Sequence, residues 1–343
     1  MVVTTPLMAQ KTAREDTVRL LHEVVVKAYA MERPSLEVPA AIGVIKDAEL
    51  NRFNNTSILP AVNTVPGVRM EERSPGSYRF SIRGSSLRSP FGVRNVKFYW
   101  NGLPLTDGGG NTYLNLIDFN SIGSMEIIKG PGASLYGAGT GGVVLLQSPK
   151  STGEINYSIL GGSYGLFRIQ GAASLVHTQN LQMDMRIGYQ QSDGYRQQTR
   201  MNRLMSQVEL RSVLSAKSFL SATVFSTQLN YETPGGLTEA QYDSDPHQAR
   251  PAAGASPGAV DQQAAVNNKT TYAGVSFEHE WNERWSSRMG MFGSLTDFKN
   301  PTIRNYEKRQ EQNWGGRMET QYKIDQKSWK GKFTIKSAGA PST

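Results

Sequence analysis

From about residue 154 to about residue 338 the chain alternates apolar and polar side chains with a period of two. Leu181, Met183, Met185, Ile187 and Tyr189 alternate with Gln182, Asp184, Arg186 and Gln190. Phe167, Ile169, Ala173 and Leu175 alternate with Arg168, Gln170 and Ser174. Val208 and Leu210 alternate with Gln207, Glu209 and Arg211, and Val275, Phe277 and Trp281 with Ser276, Glu278 and Glu280. Successive side chains of a strand point to opposite faces, so the pattern predicts strands with one apolar and one polar face. A soluble sandwich and a membrane barrel share that alternation. The connections separate them. Residues 178–180, 215–217, 282–284 and 325–327 read as tight turns, while 194–202, 231–269 and 298–312 read as long loops. The two kinds alternate, as the short inner turns and long outer loops of an outer-membrane barrel do. Tyr189, Trp281, Trp285, Trp314, Tyr322 and Trp329 read as lying near strand ends, where interfacial aromatic girdles sit.

Composition agrees with that expectation. No apolar run approaches the ~20 residues of a membrane helix, so a membrane would be crossed by strands. With no cysteine, the chain has no disulfide framework, thiolate metal site or thiol nucleophile. The net charge of +8 suits an anionic membrane surface or anionic ligands. Nucleic acid ranks last, because no basic run interleaves with aromatics. Four histidines and the lack of a Gly-x-Ser-x-Gly elbow leave no nucleophile constellation, so no enzyme is expected.

Residues 126–144, EIIKGPGASLYGAGTGGVV, place Gly130, Gly132, Gly137, Gly139, Gly141 and Gly142 between apolar strands. Such density calls for backbone conformations or close approaches that a Cβ forbids. A phosphate loop would end in Gly-Lys-Ser/Thr before a helix, whereas these glycines run into Val143, Val144, Leu145 and Leu146. The stretch closely resembles the end of the plug domain of TonB-dependent outer-membrane receptors. Upstream segments resemble the same family in order: ILPAVNTVPGV at 58–68, FSIRG at 80–84 and YWNGLPL at 99–105, with Asn101 where Asp is usual.

The resemblance covers roughly residues 40–340. It implies an α+β plug domain at 40–149, followed by antiparallel transmembrane β-barrel strands at 150–343. Short strands are expected at 44–45, 68–70, 78–82, 96–100, 124–128 and 143–147, and short helices at 47–54 and 58–65. About nine barrel strands can be counted, and the tail from Lys336 shows no strand pattern. Receptors of this architecture have about 22 strands. A plug with a radius of gyration near ~13 Å does not fit in a barrel of eight or nine strands. The expectation is an incomplete barrel, the N-terminal part of a receptor that would not transport alone.

Residues 1–39 are read as three pieces. MVVTTPLMA at 1–9 reads as the tail of a signal peptide cleaved after Ala9, or equally as a disordered terminus. Glu23, Val24, Val25, Val26 and Lys27 resemble the TonB box, which pairs edge-to-edge with TonB and its inner-membrane energising complex by β-augmentation. An edge strand of the plug is the alternative. Residues 28–39, punctuated by Pro34 and Pro39, read as a linker.

The resemblance also implies site residues. Arg83 and Lys129 would latch the plug to glutamates on late barrel strands, which are expected to be missing here, and a pair of solvated surface cations is the alternative. Arg88, Arg94, Asn111 and Tyr113 would face an external ligand from the plug apex. In the longest loop Tyr242, His247, Gln248 and Arg250 are further ligand-facing candidates, and a solvated loop is the alternative. No metal site or cofactor is expected. The implied function is energised uptake of a ferric chelate such as ferric citrate or a siderophore, across the outer membrane of a Gram-negative cell. Another large solute, such as an oligosaccharide or cobalamin, is the alternative cargo, and a soluble β-rich binding or adhesion module is the alternative class.

Overall fold

The computed structural model describes Val25–Val26, Arg33–Pro34 and residues 40–339, apart from 55, 75, 86–92, 131–132, 138, 140, 302–305 and 327–328. Residues 1–39 and 40–343 are separate units. In the first, β1 (Val25–Val26) pairs antiparallel with β2 (Arg33–Pro34), so the expected linker contains a short strand. Glu23, Val24 and Lys27, like the signal-like residues 1–9, lie outside the described residues.

The second unit opens with β3 (Ala41–Ile45), α1 (Asp47–Leu50) and α2 (Leu59–Val62). A hairpin of β4 (Val68–Ser74) and β5 (Ser77–Ile82) follows. Then come β6 (Val96–Trp100), β7 (Leu103–Pro104), β8 (Ser124–Lys129), α3 (Ala133–Tyr136) and β9 (Gly142–Gln147). Both early helices are single turns, shorter than expected, because α1 ends at Asn51 and α2 at Asn63. The mixed sheet runs β3-β8-β9-β6-β7, with β6 and β9 parallel. Its centre is buried on both faces, so its strands read VKFYW and GVVLLQ without alternation. Trp100, Phe98, Ile127, Val144 and Leu146 are buried together, and Phe80 meets Phe98 edge-on at 5.2 Å. The glycine-rich stretch closes this sheet: β8 and β9 pair antiparallel, and Gly142 adopts φ +144 where a Cβ would strike the Ile128 carbonyl.

A nine-stranded antiparallel sheet, in chain order, makes up the rest. It comprises β10 (Ile155–Gly161), β11 (Phe167–His177), β12 (Leu181–Ser192), β13 (Met201–Ser215) and β14 (Ser218–Glu232). After the one-turn α4 (Glu239–Ser244) come β15 (Ala265–Glu280), β16 (Trp285–Pro301), β17 (Tyr306–Gln326) and β18 (Trp329–Gly339). Among the described residues β10 pairs only with β11 and β18 only with β17, so the sheet stays open. The connections 178–180, 216–217 and 281–284 share one end, while 193–200 and 233–264 emerge at the other.

Three expectations need correction. Residues 298–301 and 306–312 are ladder, not loop: Phe298 pairs with Arg309, Lys299 with Lys308 and Pro301 with Tyr306. Strands of 17 and 21 residues exceed the 9–11 that cross a bilayer, so this stretch is surplus to a span and is free to carry polar groups on both faces. The tail does not end strand pairing at Lys336, since Ser337, Ala338 and Gly339 pair with Met318, Arg317 and Gly316. Trp314 is not at a strand end but pairs with Gly293 in mid-ladder, eight residues along β17 from Tyr322, which stacks on Trp285 at 4.7 Å. At ~3.3 Å per residue and a tilt near ~40°, Trp314 and Tyr322 bracket a band about 20 Å high, so the girdle is set by membrane thickness rather than strand length.

Polarity decides between barrel and sandwich. The outward face is apolar and exposed: Tyr157, Ile159, Ile187, Val224, Met291 and Trp314 all lie on it. The covered face is rich in polar groups, with Arg168, Glu209, Thr227, Asn268 and Glu319 all buried beside a smaller apolar set. A water-soluble sandwich has the reverse order. An apolar outside and a polar inside are the design of a wall facing lipid.

Candidate functional site

The mixed-sheet domain is held against the polar face of the wall by two buried clusters. Asp118 caps a short 3₁₀ turn at Phe119–Ser121 and accepts from the Asn120 amide at 3.0 Å. Arg168 of β11 donates to both Asp118 carboxylate oxygens at 2.8 Å. Arg203 of β13 reaches the same carboxylate at 3.2 Å and the carbonyls of Asn115 and Ile117 at 3.2 and 3.3 Å. The side chains of Asp118 and Arg168 are both 2 % exposed. Burial pushes the Asp118 carboxyl up, but the charges of Arg203 and Arg168 outweigh it and carry the group below the usual carboxylate range. Gly188 of β12 makes the approach possible, since a Cβ there would lie 2.8 Å from Asp118.

The second cluster reverses the charges. Glu209 of β13 accepts from Asn101 at 2.9 Å and from the Ser148 hydroxyl, both at ends of the mixed sheet. Gln207, Thr223 and Arg211 bond the same carboxylate, and Arg186 lies 3.6 Å away. Between the clusters, Thr227 donates to the Leu116 carbonyl and Tyr272 to the Pro104 carbonyl. Leu103 enters a slot cut by Gly274 and Gly290, where a Cβ would strike it. Leu116 packs among Met201, Leu229, Tyr231, Val266 and Phe298.

The expected latch cations are neighbours on the plug. Arg83, at φ 50, approaches Gly130, and Lys129 donates to the Pro66 carbonyl at 2.6 Å. Partial burial lowers the Lys129 ammonium pKa, and the neighbouring Arg83 charge lowers it further. Neither pairs with a wall carboxylate among the described residues.

At the apex, near the long-loop end, Arg94 donates to Asn111 at 2.7 Å, and Asn111 bonds Asp107 through its backbone and side-chain amides. Tyr113 donates to Glu311 at 3.2 Å and accepts from Arg309 at 2.7 Å, while Arg309 lies over the Phe298 ring at 4.3 Å. Burial pushes the Tyr113 phenol up. A cavity of about 30 Å³ beneath Tyr113, lined by Asp107, Leu116, Tyr272 and Thr296, has room for one water. Arg88 lies outside the described residues.

The loop candidates divide. Tyr242 is 61 % exposed. His247 is exposed but stacks on Tyr195 at 4.1 Å. Arg250 is turned into its own loop, bonding the Pro257 carbonyl and packing against Gly235, and Gln248 bonds the Gln241 carbonyl. The loop folds around Ala249, Ala259 and Ala264 and is pinned by Arg196, which donates to the carbonyls of Gly235 and Gln248.

Near the turn end, Ser151, His177 and Asp184 meet. The Ser151 hydroxyl lies 3.0 Å from His177 Nδ1 and donates to Asp184 at 2.8 Å. A nucleophilic triad places histidine between serine and acid; here serine is in the middle with its proton on Asp184, so no base activates it.

Comparison with known proteins agrees with this geometry. Residues 34–144 match the family model described as TonB-dependent Receptor Plug Domain. The vitamin B12 transporter BtuB of Vibrio vulnificus is 32 % identical over 155 residues, covering 43 % of this chain and 24 % of that protein. The ferrioxamine B receptor of Salmonella typhimurium is 33 % identical over 152 residues, covering 43 % of this chain and 21 % of that protein. The pyoverdine outer-membrane receptor FpvA of Pseudomonas aeruginosa superposes with a TM-score of 0.68 at 14 % identity, over 91 % of this chain and 47 % of that one. The chain thus spans about a quarter of the length of the curated relatives it matches.

Proposed function

We propose that this chain, a TonB-dependent receptor by its plug and by the wall around it, serves the energised uptake of a ferric chelate such as ferric citrate or a siderophore. One observation carries the reading. A folded plug is bolted through buried ion pairs to a sheet whose other face is made for lipid. Such a seam closes a wide lumen until force or ligand rearranges the plug.

In this reading the apex residues Arg94, Asn111 and Tyr113, with Arg88 and the outer loop, contact an anionic chelate. The cations and hydrogen-bond donors there suit carboxylate, hydroxamate or phenolate oxygens around iron. The segment at Glu23–Lys27 then adds a strand to TonB in the periplasm, and Val25–Val26 already has extended, paired backbone. Arg83 and Lys129, side by side on the plug, are held in reserve for wall carboxylates. The relative that transports vitamin B12 supports cobalamin as a second cargo.

Deleting the gene in iron-starved cells and growing them on single iron chelates tests the reading. Loss of growth on one chelate, reproduced by deleting TonB, is the expected result. Unimpaired growth on every chelate and on cobalamin would sink it.

A further inference from the structure

We propose that Tyr164, Tyr195 and His247 form a saccharide-binding platform at the outer rim of the wall, which takes an uncharged sugar of the outer-leaflet glycan. The proposal rests on the outer-membrane reading above, because it needs a glycan within reach.

The three rings make a continuous ladder. Tyr164 meets Tyr195 edge-on with centroids 5.6 Å apart, and Tyr195 lies 4.1 Å from the His247 ring at 34°. All three are exposed, Tyr164 by 54 % and Tyr195 by 48 %. Their supports are rigid. The Tyr164 carbonyl accepts from the Asp193 amide at 2.8 Å. His247 is fixed by the Gln197 amide, which donates to its carbonyl at 2.7 Å, and by a 3.1 Å contact between its Nδ1 and the Tyr195 carbonyl. Three separate connections thus place rings in one line without burying them.

The backbone argues that Tyr164 is not there for the fold. It sits at φ 57, followed by Gly165 at φ 63, in the turn joining β10 to β11. Asparagine or glycine takes that left-handed conformation at lower cost, and a bulky aromatic there is unusual. Strain held at an exposed position points to a use for the side chain.

Height and chemistry name the ligand. Outward residues of β12 run Met183, Met185, Ile187 and Tyr189, then change to Gln191, whose amide oxygen accepts from the Tyr189 hydroxyl at 2.8 Å. The apolar band therefore ends at Tyr189, and Tyr195 follows in the β12–β13 connection, on the side where headgroups would lie in the reading above. Near the rings in sequence stand a hydroxyl and amides, Ser163, Gln191 and Gln197, and the exposed charges of Asp193 and Arg200 face each other at 3.6 Å. A phosphate would find no unpaired cation at this pair, and an acyl chain would strand the amides. A sugar ring satisfies both halves of the site: its C–H face stacks on an aromatic ring and its hydroxyls bond amides.

The test uses the full chain folded in a polyoxyethylene detergent, whose headgroup carries no competing sugar. The probe is a fluorophore-labelled lipopolysaccharide core oligosaccharide freed of its lipid, read by fluorescence polarisation beside maltohexaose. Tyr164→Asn relieves the strain while removing the ring. Binding of the core oligosaccharide by the wild type, weakened about tenfold in Tyr164→Asn and in Tyr195→Ser while the Tyr164→Asn thermal midpoint holds or rises, bears the proposal out. Equal binding by Tyr164→Asn, or a fall in its midpoint in step with binding, makes the ring structural and overturns it. Preference for maltohexaose overturns it in favour of a soluble sugar. Failure of the wild type to bind either probe, while the chain still fractionates with outer membranes, overturns it and leaves the receptor reading standing.

Discussion

Replacing Asp118 by asparagine keeps the shape of the plug-to-wall bolt and removes its charge. Arg168 and Arg203 then face an uncharged amide in a site where Arg168 and Asp118 are each 2 % exposed. At an effective dielectric of ~20, each guanidinium–carboxylate pair is worth about 4 kcal/mol before desolvation is subtracted. Removing one partner of a buried pair costs about 3–5 kcal/mol, because the surviving charges stay buried and unpaired. We expect that loss to appear in the plug rather than in the wall, whose ladders are untouched. Hydrogen exchange in the full chain reads it directly: amides of 114–123 should exchange roughly 10²- to 10³-fold faster, while those of β13 and β14 keep their protection. The effect has a pH signature. The folded carboxyl is held below its ordinary value, so its contribution is complete above the unfolded pKa of ~3.9 and fades as pH falls through the folded one. The gap between wild type and variant should stay level from about pH 7 to pH 5 and narrow only below about pH 4. A variant that exchanges like the wild type at neutral pH would refute the reasoning and assign the hold to Leu116 and its apolar neighbours.

Gly188→Val should loosen the same bolt by about 1–3 kcal/mol, since its branched side chain must displace Asp118; exchange of residues 114–123 checks it. Leu103→Ala empties the slot at Gly274 and Gly290 and should cost about 2–4 kcal/mol of plug stability in urea titrations followed at the buried Trp100. Val25→Pro removes a backbone donor from the segment proposed to pair with TonB; under that proposal it should abolish TonB-dependent uptake while leaving ligand binding unchanged.

How much of this was legible follows from which forces act locally. Alternation exposed β11 to β17 because every second residue of a lipid-facing strand must be apolar. It failed at residues 298–312, where the strands are surplus to a span and Lys299, Glu307, Lys308, Arg309 and Gln310 no longer need an apolar face. The tail from Lys336 was misread for a related reason: backbone pairing with β17 continues without any side-chain pattern to announce it. The plug was legible from glycines whose positions tolerate no Cβ. The bolts were not. Asp118 and Arg168 are 50 residues apart, and one sequence does not reveal which charge meets which across that distance. A hint was present in Arg168, Arg186 and Arg203, which take the inner positions of their strands and so require acids or carbonyls opposite them. Attention to plug cations missed that here the plug supplies the acid.

The nested charges of the seam bear on assembly. A vacant wall would leave Arg168 and Arg203 with the amides of Gln170 and Gln190 but no opposing charge, and a lone plug would leave Asp118 and Leu103 uncovered. Each part is thus a mould for the other, so neither is expected to keep its shape when folded without its counterpart.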